Sequence, residues 1–448
     1  PEYCRNQMRI ISNLKRLALN FYFWVFLAFG VSLTFAIVYK FMDPVQKHNT
    51  IVSDGKGYYA YLPALFIYDD LSFGFNQTIE KQKHPETMYT DYRYKLDQER
   101  VYTKYYLGTS IAYSPFFFGA HGISKWMGWD ADGYTAIYHG AIVLAAIFYS
   151  MLALIFFGKI LDIYGIKHWV KVLVILGAYF GSNWFYYTCW ESSLSHPYSA
   201  GIIAMLIYFV LVFKSKPSTR LALLIGFLLG FVTLIRPVNV LVILFLPMFF
   251  VSFKAFVTFC KKHIFKTRVL VPSLLAFFAE VSLQLIMYKA QIDQWYIYAY
   301  SHEKFFFMQP HILDFLFSIR KGFFVYAPLF IFSIFGLVTW YKVNKFQPLW
   351  WLGTFLFITY VFSSWHMWWY GGTWGTRVFI EYLLFFSIPL AIFLNKLKGH
   401  WLKVVVTIAC LFIFNTILQQ YQYRKGILHY EQMTWQNYKD IFLYPIIP

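Results

Sequence analysis

Residues 17–39 read LALNFYFWVFLAFGVSLTFAIVY, and residues 53–63, a little further along the chain, read SDGKGYYAYLP. The first stretch is apolar over roughly the 20 residues that a helix needs to cross a bilayer. No small-residue cleavage site follows it, which predicts a retained membrane helix rather than a signal peptide. The second stretch therefore places an acid, Asp54, close to a membrane surface. Flanking glycines let the backbone bend there, and the tyrosines are typical of the headgroup region.

The composition extends this interpretation to the whole chain. Of its 448 residues, 59% are hydrophobic and only 13% are charged, which predicts a single transmembrane domain over residues 1–448. The apolar runs are continuous rather than alternating, so they favour helices over a membrane-spanning barrel. We predict an all-α polytopic bundle of about 11 spans, at residues 17–39, 134–157, 172–190, 197–213, 221–235, 238–253, 269–289, 322–341, 349–364, 378–395 and 402–420.

The longest predicted loop covers residues 40–133 and follows the first span. It contains two amphipathic segments, at 58–73 and 105–129, which are too short or too polar to count as spans. We expect both segments to form interfacial helices that lie along the membrane surface. Residues 421–448 are expected to form a short tail on the same side of the membrane as this loop.

The distribution of charge predicts the orientation of the bundle. The formal net charge is +18, yet 20 of the 39 Lys and Arg residues fall at the N-terminus and in alternate short loops, which together hold only two of the 21 acids. Short loops rich in Lys and Arg stay in the cytoplasm. The positive charge is thus a topology signal, helped by anionic lipid, rather than a sign of nucleic-acid binding. The loop with Asp54 is then extracytoplasmic.

A short loop on this outer side, ESSLSHP at residues 191–197, holds both an acid and a histidine. So short a loop cannot leave the membrane surface, so Glu191 and His196 are expected near the mouth of the bundle. A polar turn with a helix cap at Ser195, before Pro197, accounts equally well for the loop. That alternative leaves the pairing of Glu191 with His196 unexplained.

Several cations are also predicted on the outer side. Arg236 is the only charge in its loop, where it either snorkels to the headgroups or binds an anion. Arg320 and Lys321 are adjacent at the outer end of a span, although Lys and Arg are usually enriched on the cytoplasmic side. They therefore predict an anion that binds on the outer side. The nearby pair His302 and Glu303 precedes an aromatic run that is expected to dip towards the membrane.

The stretch WHMWWYGGTWGTR at residues 365–377 contains four tryptophans, three glycines and one arginine. Interfacial tryptophans are common as a membrane belt, but this density exceeds what a belt requires. Aromatic faces offer a packing surface for sugar rings, and Arg377 offers a planar fork that suits phosphate. The candidate pocket residues of this stretch are Trp365, His366, Trp368, Trp369 and Trp374, and we add Tyr58 and Tyr59 from the first loop.

Together these residues suit a substrate that has a sugar, a phosphate and an apolar tail. Asp54 is the candidate general base, which is expected to contribute ~10²–10⁴ in rate, and the cations would bind the phosphate and oppose its developing charge. Asp54, Glu191 and His196 are also candidate ligands of a divalent ion, although so few residues make a weak metal pattern. A second acid, Glu280, lies inside a predicted span, where it is either structural or functional.

The pattern resembles the GT-C class of integral membrane glycosyltransferases, which includes protein O-mannosyltransferases and lipid A aminoarabinose transferases. The similar strings, close to those in bacterial members of the Bacteroidetes type, are DGKGYY at 54–59, Ser195-His196, Arg236-Pro237, RKG at 320–322 and residues 365–377. The resemblance implies that an acid in the first outer loop is the catalytic base, that interfacial helices lie in that loop, and that the sugar donor is a polyprenyl-phosphate glycoside. It also implies that the protein lies in the bacterial inner membrane and that its active site faces the periplasm.

The chain departs from the class in two respects. Well-known members often have two adjacent acids at the first site, whereas Asp54 is followed by Gly55. Many also have a soluble C-terminal domain, which is not expected here. These departures leave the acceptor open: a protein, a lipid or a glycan.

Two other functions stay open at this stage. A lipid or glycan transporter or flippase would also need many helices and would account for Glu280, but transporters usually show broken helices in matched repeats, which this sequence lacks. A non-catalytic subunit of a larger membrane complex is the third interpretation, because a fold never proves an activity.

Overall fold

The computed structural model describes residues 20–43, 46–85, 91–97, 100–300 and 303–444. Within these ranges nearly all regular secondary structure is helical, apart from one hairpin of two-residue strands, in which β1 (Tyr94–Lys95) pairs antiparallel with β2 (Val101–Tyr102). The prediction of an all-α bundle is therefore confirmed at the level of fold class. The continuous apolar runs form helices because each helix satisfies its own backbone hydrogen bonds.

Most of the helices follow one another with short connections. Residues 60–107 form a longer connection, which contains the short helices Tyr61–Pro63, Ala64–Tyr68 and Asn76–Lys83 and the hairpin, and residues 293–311 form another. In the first half they are α1 (Phe21–Phe41), α2 (Asp54–Tyr59), α3 (Gly108–Met127), α4 (Ala136–Ile163), α5 (His168–Phe180), α6 (Trp184–Cys189), α7 (His196–Ser215) and α8 (Thr219–Ile235). In the second half they are α9 (Pro237–Phe249), α10 (Phe253–Ile264), α11 (Thr267–Ile292), α12 (Ile312–Phe317), α13 (Phe323–Tyr326), α14 (Pro328–Tyr341), α15 (Phe346–Ser363), α16 (Arg377–Lys396), α17 (Gly399–Arg424) and α18 (Trp435–Ile441).

Six of the described helices are long and apolar enough to cross a membrane: α1, α4, α7, α11, α16 and α17. Helices α9 and α10 would make a seventh as one broken span, since they are bent by 109°. Among the other predicted spans, α8 has 17 residues and the runs at 172–190 and 322–341 are divided, while α15 is one uninterrupted helix of 18 residues that is not among these six. Pro328 separates α13 from α14, where its missing N–H prevents a continuous helix. The sequence reading did not anticipate that these apolar runs would be divided.

Helix α16 is the most enclosed of the six long helices, whereas α11 and α17 expose most of their surface. Helix α4 packs against α7 and α3, and α15 and α16 both contact α9 through aromatic side chains or the backbone. Because α16 begins at Arg377, this enclosed helix places a charged residue from the aromatic stretch at the end of the bundle where the loops with Asp54 and His196 meet.

In the segment predicted as the first interfacial helix, residues 58–73, the first half packs inside the protein, whereas Leu65 and Phe66 are 40% and 53% exposed. Tyr59 and Tyr61 are fully buried. The reason is the close approach that two glycines allow: a Cβ on Gly55 would lie 1.9 Å from the Ser193 hydroxyl oxygen, and one on Gly57 would lie 1.9 Å from the Tyr105 ring. The glycines thus serve close packing.

The second predicted interfacial segment, residues 105–129, forms α3. It begins against the protein, where a Cβ on Gly108 would meet the backbone of Leu234 at 2.5 Å. It ends in the open, with Trp126 83% exposed and Trp129 53% exposed. This helix therefore combines a buried start with an aromatic, exposed end.

The basic loops meet one another at one end of the bundle. The Lys167 backbone N–H donates to Asn395, the Asn344 side chain donates to the Val251 carbonyl, and the Lys214 ammonium donates to the Phe249 carbonyl. The loops that hold Asp54 and His196, with the start of α16, meet at the other end, around the cavity described next. The separation of the two groups of loops matches the alternation deduced from charge.

Candidate functional site

A cavity of about 320 Å³ opens among the ends of α2, α7, α8 and α16. Its wall contains Asp54, His196, Arg236, Glu303 and Arg377, all of which the sequence singled out, together with Tyr58 and Trp365. The segments that contribute these residues are far apart in the chain, so only the packing of the helices brings them together.

Asp54 is the first residue of α2 and is held by two partners. The Tyr105 hydroxyl donates to Oδ1 at 2.7 Å, and Nη2 of Arg377 donates to Oδ2 at 3.1 Å. About a third of the Asp54 side chain is exposed, at 32%. Burial by itself would raise the pKa of Asp54, but the Arg377 charge and the Tyr105 hydrogen bond outweigh it, so this pKa lies below its ordinary value.

Arg377 reaches Asp54 from the N-terminus of α16. The turn before it depends on Gly375, whose φ of +62° is a conformation that favours glycine. The contact with Asp54 is the one side-chain hydrogen bond of Arg377 within the described residues. Since a guanidinium has five N–H donors, most of its donors remain unused by the protein, and Arg377 lines the cavity.

A second ion pair lies deeper in the same wall. Oε1 of Glu381, which is 1% exposed, accepts a hydrogen bond from Nη1 of Arg236 at 2.6 Å and lies 2.9 Å from Nδ1 of His196. Nδ1 of His196 also lies 3.1 Å from Nη1 of Arg236, so this ring nitrogen is held between a carboxylate oxygen and a guanidinium N–H. Arg236 therefore pairs with an acid rather than snorkelling to the headgroups.

Glu381 was not predicted as a site residue, although its position in the sequence pointed to one. It is an acid inside an apolar predicted span, and such residues usually face the protein interior and find a partner. The same argument was applied to Glu280. In the structure Glu280 lies on α11, facing Gly230 of α8, and it does not line the cavity among the described residues.

A third ion pair lies between Lys104 and Glu303, whose Nζ and Oε1 are 2.5 Å apart. The ammonium also lies within 6 Å of the ring centroids of Tyr94, Tyr105 and Tyr300, a favourable arrangement of a cation over aromatic faces. Lys104 was not predicted, because one lysine in a loop rich in charged residues carries no pattern. The neighbouring His302, which the sequence also predicted as a pocket residue, lies outside the described residues.

Aromatic rings cover much of the remaining wall, contributed by Tyr58, Tyr106, Tyr300, Phe305, Trp365 and Tyr370. The Phe305 and Trp365 backbones pair as an isolated β-bridge. Leu194, Val238 and Phe362 add apolar surface. The cavity thus combines three ion pairs with rings and aliphatic side chains.

Five other predicted aromatic or histidine residues lie elsewhere among the described residues. Tyr59 donates its hydroxyl to the Gly133 carbonyl, and Trp374 is fully buried in the core. Trp368 stacks on His311, Trp369 donates to Glu431, and the His366 backbone N–H donates to the Lys304 carbonyl. Their large surfaces are used for packing and for anchoring loops.

Arg320 and Lys321 also lie away from the cavity wall. The Arg320 guanidinium lies 3.7 Å from the centre of the Trp369 ring and donates from Nε to the Glu431 carbonyl at 2.7 Å. The Lys321 ammonium donates to the Tyr430 carbonyl. In the structure Arg320 therefore meets the Glu431 carboxylate and carbonyl, and Lys321 meets a neutral backbone carbonyl, all in the C-terminal segment.

Glu191 sits beside the cavity rather than in its wall. It accepts a hydrogen bond from Tyr186 at 3.1 Å, and burial raises its pKa even though the charges of Arg377 and Lys321 act in the opposite direction. Among the described residues, no group of three or more His, Cys, Asp or Glu side chains is placed to hold a metal ion. Asp54 and His196 pair instead with Arg377 and Glu381, respectively.

Comparisons of this chain with protein-family models, with curated proteins and with solved structures found no match.

Proposed function

We propose that this protein is a membrane glycosyltransferase, which moves a sugar from a polyprenyl-phosphate-linked donor to the hydroxyl group of an extracytoplasmic acceptor. The observation that carries the proposal is the placement of one partly exposed carboxylate, Asp54, in the same cavity as two arginines, Arg236 and Arg377. A base and an anion-binding group in one enclosed space are the two elements that transfer from a phosphate leaving group requires.

The phosphate would bind to the arginines. Arg236 uses only Nη1 towards Glu381 and His196, and Arg377 uses only Nη2 towards Asp54, as far as the described residues go. Their remaining N–H groups suit phosphate oxygens, because guanidinium forks match that geometry. This arrangement supports binding of an anion even though each cation already has a carboxylate partner.

The sugar would pack on the aromatic wall, where Tyr58, Tyr300 and Trp365 present large ring surfaces. His196 lines the same cavity, and its ring would form a hydrogen bond with a sugar hydroxyl. The apolar tail would leave past Val238 and Phe362, which line the same cavity on α9 and α15, towards the surrounding lipid.

In the reaction the acceptor oxygen forms a bond to the anomeric carbon as the bond from that carbon to the phosphate oxygen breaks. The electron pair of the broken bond goes to the phosphate, and the acceptor proton goes to Asp54. Arg236 and Arg377 oppose the charge that develops on the phosphate. The products are the glycosylated acceptor, the polyprenyl phosphate and a protonated Asp54, which then returns its proton to solvent.

The test is transfer of radiolabelled sugar into membrane material from a panel of polyprenyl-phosphate sugars, in membranes that contain the full chain. We expect D54N to lower the rate at least ~10²-fold. D314N serves as the matched control, since Asp314 is a half-exposed acid paired with His311 outside the cavity. Both variants are checked for folding by size exclusion and thermal melting.

Retention of transfer by D54N would contradict the proposal. A lipid transporter or flippase would continue to move a fluorescent lipid across vesicles after this substitution. A non-catalytic subunit would show no transfer in any variant and would keep its membrane partners after D54N. These outcomes separate the three functions.

A further inference from the structure

We propose that Arg377 is an exchangeable cation, which leaves Asp54 for the phosphate of the bound lipid as the acceptor proton reaches Asp54. This inference rests on the proposed transferase function and deepens it, because it couples the base to the leaving group through one guanidinium. Arg236, by contrast, acts as a fixed cation.

The difference between the two arginines lies in their carboxylate partners. Glu381 has a fully buried side chain, at 0% exposure, and Nδ1 of His196 contacts the same oxygen that binds Arg236. A substrate in the cavity cannot contact the Glu381 carboxylate unless the side chains of the cavity wall move. The Asp54 side chain is 32% exposed and Arg377 is 16% exposed. The pair that faces the cavity is therefore the pair that a ligand can separate.

The two oxygens of Asp54 also have different roles. Oδ1 accepts the Tyr105 hydroxyl at 2.7 Å, and Tyr105 is itself buried. This bond would hold the carboxylate in place after Arg377 departs. Oδ2 binds only Arg377 within the described residues. When Arg377 turns to the phosphate, Oδ2 becomes the oxygen that is free to take the acceptor proton.

The charges favour this order. Before transfer, Arg377 faces one negative charge on Asp54 and one on the phosphodiester of the donor. During transfer Asp54 gains a proton and becomes neutral, while the phosphate becomes a monoester with a charge of about −1.5 to −2. The attraction of Arg377 to Asp54 therefore falls at the same moment as its attraction to the phosphate rises. Arg377 keeps its proton throughout.

Binding of a short-chain polyprenyl phosphate to the purified full chain in nanodiscs tests the inference without a sugar or an acceptor. Asp54→Asn imitates the neutral, protonated base. Since the charged Asp54 carboxylate then no longer competes with the phosphate for Arg377, we expect the dissociation constant to fall roughly tenfold. In an Arg377→Gln background the same change should give no gain. Arg377→Lys, which keeps the charge, should retain part of it.

Glu303→Gln is the matched control. It also removes one negative charge from the cavity, but its partner is Lys104. Any gain in affinity from this change should persist in the Arg377→Gln background, whereas the gain from Asp54→Asn should vanish there. Thermal melting of each variant shows whether the chain has folded.

Two results would overturn the proposed exchange of Arg377 between Asp54 and the phosphate. One is a gain in affinity from Asp54→Asn that remains in the Arg377→Gln background. The other is a folded Asp54→Asn variant that shows no gain in affinity. Failure of the transferase function looks different. In that case no sugar is transferred by the unaltered chain, while the coupling between Asp54 and Arg377 in phosphate binding is still measured.

Discussion

Lys321 is a charged residue that the fold encloses, with only 3% of its surface exposed. Burial lowers the pKa of its ammonium group to about 7, an effect that the neighbouring Glu191 carboxylate opposes. The hydrogen bond to the Tyr430 carbonyl anchors the C-terminal segment. At this position, therefore, the protonation state of one side chain is linked to the stability of the folded protein.

A pH dependence of stability follows from this pKa. Between pH ~7 and ~10.5 the unfolded chain keeps the Lys321 proton and the folded chain releases it, so stability rises with pH in this window, by up to about 1.4 kcal/mol per unit. Below pH ~7 both states are protonated and the contribution is constant. We expect K321M to flatten the rise of melting temperature across this window in detergent.

The control for K321M is K304M, which removes an exposed lysine. If K321M and the unaltered chain show the same slope of melting temperature against pH, then Lys321 does not titrate in this window.

At the scale of elements, the contact between α8 and α11 depends on two glycines one helical turn apart. A Cβ on Gly226 would lie 2.1 Å from the Ser273 carbonyl oxygen, and one on Gly230 would lie 2.7 Å from the Phe277 carbonyl oxygen. The sequence GFLLG at residues 226–230 is thus a small-xxx-small motif, which lets helix backbones approach closely in membranes. It was present in the sequence and was not recognised.

The same substitution at two glycines should have opposite effects. G226A forces α8 and α11 apart, and we expect a loss of about 1–3 kcal/mol. G353A on α15 meets no atom within 4 Å, so the gain in helix propensity should stabilise the chain by about 0.5–1 kcal/mol. Melting temperatures in one detergent measure both. Equal shifts in the same direction would show that the backbone contact has no energetic role.

At the scale of the whole molecule, the basic loops and the cavity occupy opposite ends of the bundle. If the basic end is cytoplasmic, Lys262 on α10 lies inside and Trp435 on α18 lies outside. Both side chains are exposed. A membrane-impermeant thiol reagent added to intact spheroplasts should then label W435C, and it should label K262C only after permeabilisation.

The unaltered chain is the control for this labelling, because it contains native cysteines. The reverse pattern of labelling would place the cavity with Asp54 in the cytoplasm and would exclude an extracytoplasmic acceptor.

The sequence alone was enough to predict that the chain is helical and that the basic loops are separate from the acids. It was also enough to place Asp54, Arg236 and Arg377 in one group of loops. These properties depend on the local periodicity of apolar residues and on charge counts, which need no knowledge of packing. It was not sufficient for span lengths. The run at 322–341 holds no charged residue and its composition favours one span, yet it forms two helices, the second beginning at Pro328.

The tertiary structure alone decided which charges meet. Arg320 and Arg377 look alike in sequence, since each lies near an aromatic stretch on the outer side. One stacks on Trp369 and the other reaches Asp54, because the direction of each side chain depends on how distant helices pack. Lys104 lines the cavity, and Glu381 lies behind its wall paired with Arg236, for the same reason. Local sequence determines which helices form, whereas contacts between residues hundreds of positions apart determine the chemistry that those helices enclose.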